Sequence, residues 1–261
     1  MPEISERASV DPSAQLASDV VVGAFACIGP DVRIASGCVV ENNVTITGRT
    51  LLGPHTHVYP LAVVGASPPQ AEAPGECIIG PGNTIREHVT IHAGAHDGPP
   101  TQVGQDNLIM IAAQIDFGAA VGNHGIIANC AVIEAGAVIE DYVRISAFSV
   151  VHADVRVGAY TFVASWADID HHAPPYAMLQ GCPFRVRGVN SHNLKRCGFD
   201  EDDIRAIKHA FRDLFDPHRG DVDTEALETL RQCDDLNPHV LRLVEAMALP
   251  AAPEPVGAED A

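Results

Sequence analysis

A repeat of six residues constrains the fold of this chain more than any other feature. An aliphatic residue recurs at every sixth position from Val10 to Val64, from Ile79 to Ile91 and from Val103 to Val163. Six residues of an α-helix turn the chain through about 600°, so a helix would spread these side chains around its whole circumference. A simple half-buried strand would alternate every second residue. The period therefore predicts a solenoid with three flat faces, in which about 18 residues complete one coil.

Two interruptions and a later change of pattern divide the chain. Both interruptions are rich in Pro, Gly and Ala, which predicts loops that leave the solenoid and could carry a binding site. After Trp166 the hexads stop, and a helical stripe including Ile204, Ile207 and Phe211 follows Asp200, a predicted helix N-cap. The predicted segments are a β-solenoid over 8–170 with loops at 66–78 and 93–102, a linker at 171–199, a helical domain at 200–249 and a disordered tail at 250–261.

The charge and cysteine content limit the partners and the compartment. The formal net charge is -18 at pH 7, which disfavours broad binding to nucleic acid or to an anionic membrane. Basic residues are concentrated between Arg185 and Arg212, where we expect any anionic partner. No apolar run approaches the roughly 20 residues of a membrane-spanning helix. The seven cysteines include no CxxC pair, which predicts reduced thiols in a cytoplasmic protein.

Four segments carry a specific resemblance. They are NTIREHVTIHAG at 83–94, VGQDNLIMIAA at 103–113, PPYAMLQG at 174–181 and GVNSHNLKRCGF at 188–199. Together with the hexads they resemble the UDP-N-acetylglucosamine 3-O-acyltransferases of lipid A synthesis over most of the chain. The resemblance implies an all-β solenoid plus α: a left-handed parallel β-helix with a C-terminal α-helical domain.

The resemblance also implies an activity and its partners. It implies a homotrimer with active sites between protomers, in which an acyl chain passes from acyl carrier protein to a sugar 3-hydroxyl. In that chemistry a histidine accepts the hydroxyl proton and backbone amides stabilise the oxyanion, without a metal or other cofactor. We therefore expect a homotrimer that uses an acyl carrier protein or coenzyme A thioester as donor and a nucleotide sugar or amino sugar as acceptor.

The resemblance breaks at the catalytic base of the family. The family motif N-A-H-I-A-H-D aligns with Ala112–Gly118, which puts Phe117 at the base histidine and Gln114 at a second active-site histidine. Gly136 replaces a further histidine, and Pro69–Gln70 aligns with a Gln-Asp pair. Because Phe can neither accept nor donate a proton, we expect a divergent member with an altered acceptor or mechanism.

Several residues remain as site candidates. The replacement base is sought among His152, His124 and Asp116, although His152 lies about 10 Å along the solenoid from residue 115. Cys197 stands where the family has an arginine, and His192 where it has an acid, so nucleotide recognition is expected to differ. The predicted substrate-binding residues are His92, Gln70, Gln114, Phe117, Asn190, His192 and Arg196, and no metal ligand is predicted.

Two other functions fit parts of the sequence. Loss of the base equally suits a non-catalytic paralogue that binds a nucleotide sugar, acyl carrier protein or a partner enzyme. Gamma-class carbonic anhydrases share the prism and bind zinc through histidines, and His88, His92 and His96 form a local cluster in this sequence. Their spacing of four suits a helix rather than a solenoid strand, which disfavours a zinc site. An amine acceptor needs a weaker base than a hydroxyl, so an acyltransferase is the preferred interpretation.

Overall fold

Three parallel β-sheets form a prism over the N-terminal two thirds of the chain. The computed structural model describes residues 1–67, 75–215, 222–233 and 235–250. Each coil contributes one strand to each sheet, so the strand number within a sheet advances by three. Most strands have only two residues, because the chain turns a corner of the prism once in every hexad.

Each sheet forms one face of the prism, and its strands are stacked from the N-terminal to the C-terminal end. The first sheet contains β1 (Glu3–Ile4), β4 (Val21–Val22), β7 (Val39–Val40), β10 (His57–Val58), β13 (Thr84–Ile85), β16 (Leu108–Ile109), β19 (Ile126–Ile127), β22 (Arg144–Ile145), β25 (Phe162–Val163), β27 (Ala177–Gln180) and β28 (Arg185–Val189). The second sheet contains β2 (Ser9–Val10), β5 (Cys27–Ile28), β8 (Thr45–Ile46), β11 (Val63–Ala66), β14 (Thr90–His92), β17 (Gln114–Ile115), β20 (Val132–Ile133), β23 (Val150–Val151) and β26 (Asp168–Ile169). The third sheet contains β3 (Gln15–Leu16), β6 (Arg33–Ile34), β9 (Arg49–Leu52), β12 (Glu76–Ile79), β15 (Thr101–Val103), β18 (Ala120–Val121), β21 (Val138–Ile139) and β24 (Arg156–Val157).

The aliphatic hexad residues fill the inside of the prism, as their period predicts. Apart from the half-buried Val10 and Leu16 near the N-terminus, all of them are at most 4% exposed. The register stacks like residues on one another, so that Ile91 pairs with Ile115 in the next coil. Burial of each such side chain contributes about 1.5–3 kcal/mol, which makes this inner packing the main support of the solenoid.

Both interruptions of the repeat leave the prism at one corner, between the second and third sheets. Residues paired between neighbouring coils are 18 apart at Cys27 and Thr45, but 27 apart at Val63 and Thr90 and 24 apart at Thr90 and Gln114. The extra residues lie between β11 and β12 and between β14 and β15. The predicted loops 66–78 and 93–102 therefore overlap these strands at their ends, and residues 68–74 lie outside the described ranges.

The interval 171–199, predicted as an irregular linker, contains regular structure instead. β27 continues the first sheet in parallel with β25, and β28 returns antiparallel to β27. The short helix α1 (Ser191–Arg196) follows. The prolines suggested irregular chain, but Pro174, Pro175 and Pro183 all lie outside the strands, where they remove no sheet hydrogen bond.

Three further helices end the described chain. They are α2 (Glu201–Leu214), α3 (Thr224–Arg231) and α4 (Pro238–Met247). The Asp200 side chain accepts a hydrogen bond from the Asp203 amide, the N-cap arrangement that its position predicts. The tail predicted to be disordered, 250–261, lies outside the described residues except for Pro250. Within the described ranges, every helix is too short or too polar to cross a bilayer, and all seven cysteines are free thiols.

Candidate functional site

A row of polar side chains lies at the C-terminal ends of the strands of the second sheet, at the corner where the two loops leave the prism. Each residue of this outer row follows an inward aliphatic residue by one position, so neighbouring coils bring them side by side. The outer row contains imidazole and carboxylate groups, which are the usual groups of general acid–base chemistry. Its members are His92, Asp116, Glu134, His152 and Asp170.

His92 and Asp116 form a hydrogen-bonded pair between neighbouring coils. His92 Nδ1 is 3.1 Å from Asp116 Oδ1, and the Gln114 side-chain amide donates to the same oxygen at 2.7 Å. The His92 and Asp116 side chains are 17% and 22% exposed. Burial raises the pKa of the Asp116 carboxyl, but the hydrogen bonds from His92 and Gln114 outweigh burial and lower this pKa below its usual value. Asp116 is therefore a fixed carboxylate that orients the His92 ring.

Two departures from the family motif are physically linked. Asp116 stands where the motif has Ala, and Gln114 stands where it has His. Gln114 donates to Asp116, which in turn accepts from His92, so the three residues form one chain of hydrogen bonds. All three are predicted from the sequence as site residues, and in the structure His92 and Gln114 both contact Asp116. Their pairing could not be read from the motif, which treats each departure as a separate loss.

The positions of the two other missing histidines hold no proton acceptor. Phe117 is 39% exposed at the corner between the second and third sheets. The adjacent Gly118 has a φ of +70°, and its amide donates to Thr101 Oγ1. Gly136 also has a positive φ, and a Cβ at this position would lie 2.1 Å from an Asp154 carboxylate oxygen. A histidine at 136 would therefore have to displace Asp154.

His152 is held between two carboxylates. Its Nε2 is 2.6 Å from Asp168 Oδ1, and its Nδ1 is 3.5 Å from Glu134 Oε2. Glu134 is itself fixed, because it accepts a hydrogen bond from the Ala153 amide at 3.0 Å. Both ring nitrogens of this predicted base thus face acceptors, which leaves neither of them directed at a substrate.

His124 lies at a different corner, between the third and first sheets. Its ring stacks on Tyr142 with centroids 4.8 Å apart, and its Nδ1 is 3.7 Å from Asp106 Oδ2. Tyr142 in turn stacks on Tyr160. The structure therefore places this predicted base in an aromatic stack, away from the outer row.

The residues expected to hold the nucleotide are gathered at the first sheet. The Asn190 amide donates to the Tyr160 carbonyl at 2.8 Å, which holds the start of α1 against the prism. Arg196 donates to Asn193 Oδ1 at 3.1 Å, and His192 is exposed beside it on the same helix. Asn190 is 7% exposed, so its observed role is to position α1.

Arg144 on β22 joins this group, and the sequence interpretation missed it. Burial lowers the pKa of the Arg144 guanidinium, and the nearby charge of Arg196 lowers it further. Within the described residues, neither guanidinium forms an ion pair with a carboxylate. Two neighbouring arginines without a counterion suit an anionic ligand. The sequence signal that could have identified Arg144 is its charge at an outward position, directly before the inward Ile145.

The three histidines of the carbonic anhydrase alternative do not converge. His88 lies at the corner between the first and second sheets with a φ of 59°, while His96 approaches Asp97. In the parts of the chain that the structure describes, no cluster of three or more His, Cys, Asp or Glu side chains could hold a metal ion. Gln70, a predicted substrate-binding residue, lies outside those parts.

Both regions of the fold match known family descriptions. Residues 173–251 match the second domain of UDP-N-acetylglucosamine O-acyltransferase, and residues 13–48 match the bacterial transferase hexapeptide repeat. An acyl-[acyl-carrier-protein]–UDP-N-acetylglucosamine O-acyltransferase of Saccharophagus degradans is 40% identical over 231 residues, covering 87% of this chain and 89% of the relative. The protein of the same name from Syntrophobacter fumaroxidans is 40% identical over 219 residues, covering 82% and 84%.

Solved structures agree with these matches. LpxA from Acinetobacter baumannii superimposes with a TM-score of 0.87 at 27% identity, covering 94% of this chain and 96% of that one. The UDP-N-acetylglucosamine acyltransferase of Francisella novicida gives 0.86 at 28% identity, covering 93% and 90%. These similarities confirm the predicted fold class, a left-handed parallel β-helix with a C-terminal α-helical domain. With the sequence identities above, they establish that the chain belongs to the family of UDP-N-acetylglucosamine O-acyltransferases.

Proposed function

We propose that this protein transfers an acyl group from an acyl carrier protein thioester to a nucleotide sugar. The observation that carries the proposal is the oriented imidazole and carboxylate of His92 and Asp116 at the corner where the family base is missing. Binding alone does not require a histidine ring that is fixed by a half-buried carboxylate beside Phe117. Acyl transfer requires a proton acceptor near the attacking atom, and this corner supplies one.

The two arginines at the first sheet support a nucleotide sugar as the acceptor. A nucleoside diphosphate is an anion, and guanidinium groups bind phosphate oxygens through paired hydrogen bonds. Cys197 stands where the family has an arginine, but Arg144 lies close to both Cys197 and Arg196. Arg144 therefore restores a second positive charge from the solenoid side, which supports a retained phosphate-binding site with altered contacts.

A homotrimer is the assembly that we propose. Arg144 lies on the first sheet and Arg196 on the nearby helix α1, whereas His92 and Asp116 lie at the C-terminal ends of strands of the second sheet. A sugar nucleotide that reaches both groups would have to bridge two copies of the chain. Large apolar side chains are also exposed near the corner between the first and second sheets, where a neighbouring copy would cover them; they are Ile111, Phe148 and Trp166. Sedimentation of the purified protein at three times 27.6 kDa would support this assembly.

The carrier protein is proposed to dock on the C-terminal helical region. A groove of about 850 Å³ lies between β28 and α2, and it combines the apolar Phe211 and Phe215 with several cations. Its cationic lining residues are Arg187, Arg205, Lys208 and Arg212, and His209 lies beside Arg212. In a chain with a net charge of -18, such a local positive surface suits an acidic protein partner. We also place the protein in the cytoplasm, since its free thiols suit a reducing compartment.

The acceptor atom is either a sugar hydroxyl or a sugar amine. Mass spectrometry of the purified protein with acetyl- and 3-hydroxyacyl-loaded carrier protein would distinguish them, with UDP-N-acetylglucosamine and its 3-amino analogue as acceptors. Acylated product would support the proposed function, and product from the amine alone would mean that the acceptor has changed. Tight nucleotide-sugar binding without any product would instead support the non-catalytic alternative. That alternative is motivated by Phe117, which cannot accept a proton.

A further inference from the structure

The proposed acyl transfer needs a proton acceptor, and the solenoid histidines among the candidate site residues are His92, His124 and His152. A base must present an unshared nitrogen lone pair toward the acceptor atom. His152 has a carboxylate at each ring nitrogen, at 2.6 and 3.5 Å. His124 is stacked on Tyr142 at another corner of the prism. His92 differs from His152 because only its Nδ1 contacts a carboxylate in the described residues, and it differs from His124 because it lies in the outer row beside Asp116.

The contact with Asp116 determines which nitrogen of His92 carries the proton. An ionised carboxylate only accepts hydrogen bonds, so Nδ1 must donate across the 3.1 Å contact. In a neutral ring, the lone pair is then left on Nε2. Gln114 holds the same carboxylate oxygen at 2.7 Å, which restricts movement of Asp116 and therefore of the ring. This arrangement, in which a carboxylate fixes an Nδ1–H and leaves the lone pair on Nε2, is the one that general-base histidines use.

The position of His92 also suits this role. Thr90 pairs with Gln114, so His92 lies one coil from the strand that leads into Asp116 and Phe117. One coil is a spacing of about 4.8 Å, which is within reach of a substrate that approaches the same corner. His152 is two coils beyond Gln114 in the other direction. A base at His92 is therefore one coil away from the coil that contains Phe117, whereas a base at His152 would be two coils away.

We propose that His92 is the general base of this protein and that Asp116 is its positioning residue. This inference rests on the proposed acyl transfer. Nε2 accepts the proton of the acceptor hydroxyl or amine, and the acceptor oxygen or nitrogen bonds to the thioester carbon. The carbon–sulfur bond then breaks, and the imidazolium returns its proton to the departing thiolate. The carrier leaves as a free thiol, and His92 is neutral again.

The test compares rates of acyl transfer for the wild type, His92→Gln and Asp116→Asn. We expect His92→Gln to lower kcat/KM by about 10²–10⁴-fold, the usual contribution of a general base. Asp116→Asn removes the charge that favours the protonated ring, so the acid limb of the pH–rate profile should move to lower pH. Glu134, one coil further along the row, is the next charged group and is unchanged in both variants. A purely structural role for Asp116 would lower the rate without moving this limb.

The matched control is His57→Gln. His57 also pairs with a carboxylate, Glu41, at 2.9 Å, but it lies on the first sheet, and its substitution should leave the rate unchanged. Nucleotide-sugar affinity within about threefold of wild type would show that the variants retain the binding site. If wild type forms product and His92→Gln is equally fast, the assignment of His92 is wrong while the proposed function stands. If wild type forms no product with any acceptor, the proposed function itself is wrong, and there is no reaction in which His92 could act as the base.

Discussion

The inner and outer rows of the second sheet differ in what the sequence can change. The inner row contains Ile91, Ile115, Ile133 and Val151, all fully buried and all aliphatic. The outer row, one residue further along each strand, contains His92, Asp116, Glu134 and His152. Packing inside the prism constrains the first row in every coil, whereas no such packing constrains the second. Chemistry can therefore be rearranged along the outer row while the fold stays that of the family.

Thiol reactivity should separate inward from outward positions by the largest factor. Cys77 is inward on β12, and burial raises the pKa of its thiol to about 12, whereas Cys27 is exposed on β5. An ordinary exposed thiol has a pKa of about 8.5. At pH 8 the fraction of Cys77 present as the reactive thiolate should therefore be roughly a thousandfold lower than that of such a thiol. Timed alkylation of the native protein followed by peptide mass spectrometry measures both rates. Equal rates would mean that the inside of the prism opens to solvent, so that inward and outward positions do not differ in access.

Stability should depend on the inner row far more than on the outer row. Ile115→Ala removes a fully buried side chain and should cost about 2–5 kcal/mol of unfolding free energy. Asp116→Asn, at the next position, keeps the side-chain size and should cost about 1 kcal/mol or less. Denaturant unfolding of the two variants beside wild type gives both values. A larger loss for Asp116→Asn would show that the outer row also maintains the fold.

An outward arginine on the first sheet should matter for binding and not for folding. Arg144→Met removes a half-buried charge that is close to Arg196, so the unliganded protein should be as stable as wild type or more stable. Affinity for UDP-N-acetylglucosamine should fall by about 10–100-fold, since a hydrogen bond to a charged group contributes about 1.5–3 kcal/mol. Calorimetric titration measures the affinity. Arg33→Met on the third sheet is the control, and equal losses in the two variants would contradict the proposed anion site.

The smallest expected difference is the contribution of Asp116 to stability in acid. The folded pKa of Asp116 is lowered, because hydrogen bonds from His92 and Gln114 outweigh burial. Its contribution to stability is thus present above the unfolded value of about 3.9 and is lost as pH falls through the lower folded value. The gap in Tm between wild type and Asp116→Asn should therefore close as the pH is lowered through this window. Asp97→Asn, at a side chain 98% exposed, should show no such change.

The inner row could be predicted from the sequence, and the contacts of the outer row could not. A period of six is a local property, so it identifies the inward residue of each hexad and the three-sided coil without any knowledge of contacts. The hydrogen bond from His92 to Asp116 joins residues 24 positions apart across an inserted loop, and its register became visible only in the fold. Arg144 was missed for the same reason, since its partner Arg196 comes from a helix beyond the solenoid.

The most direct test of this account is the pH dependence of kcat/KM for His92→Gln and His152→Gln beside wild type. The two histidines belong to the same row, but only His92 has a ring nitrogen left for a substrate. We predict that His92→Gln loses most of the rate together with the acid limb of the profile. His152→Gln should keep that limb and most of the rate. If His152→Gln loses the limb and His92→Gln retains it, the base is His152 and the assignment of His92 is wrong.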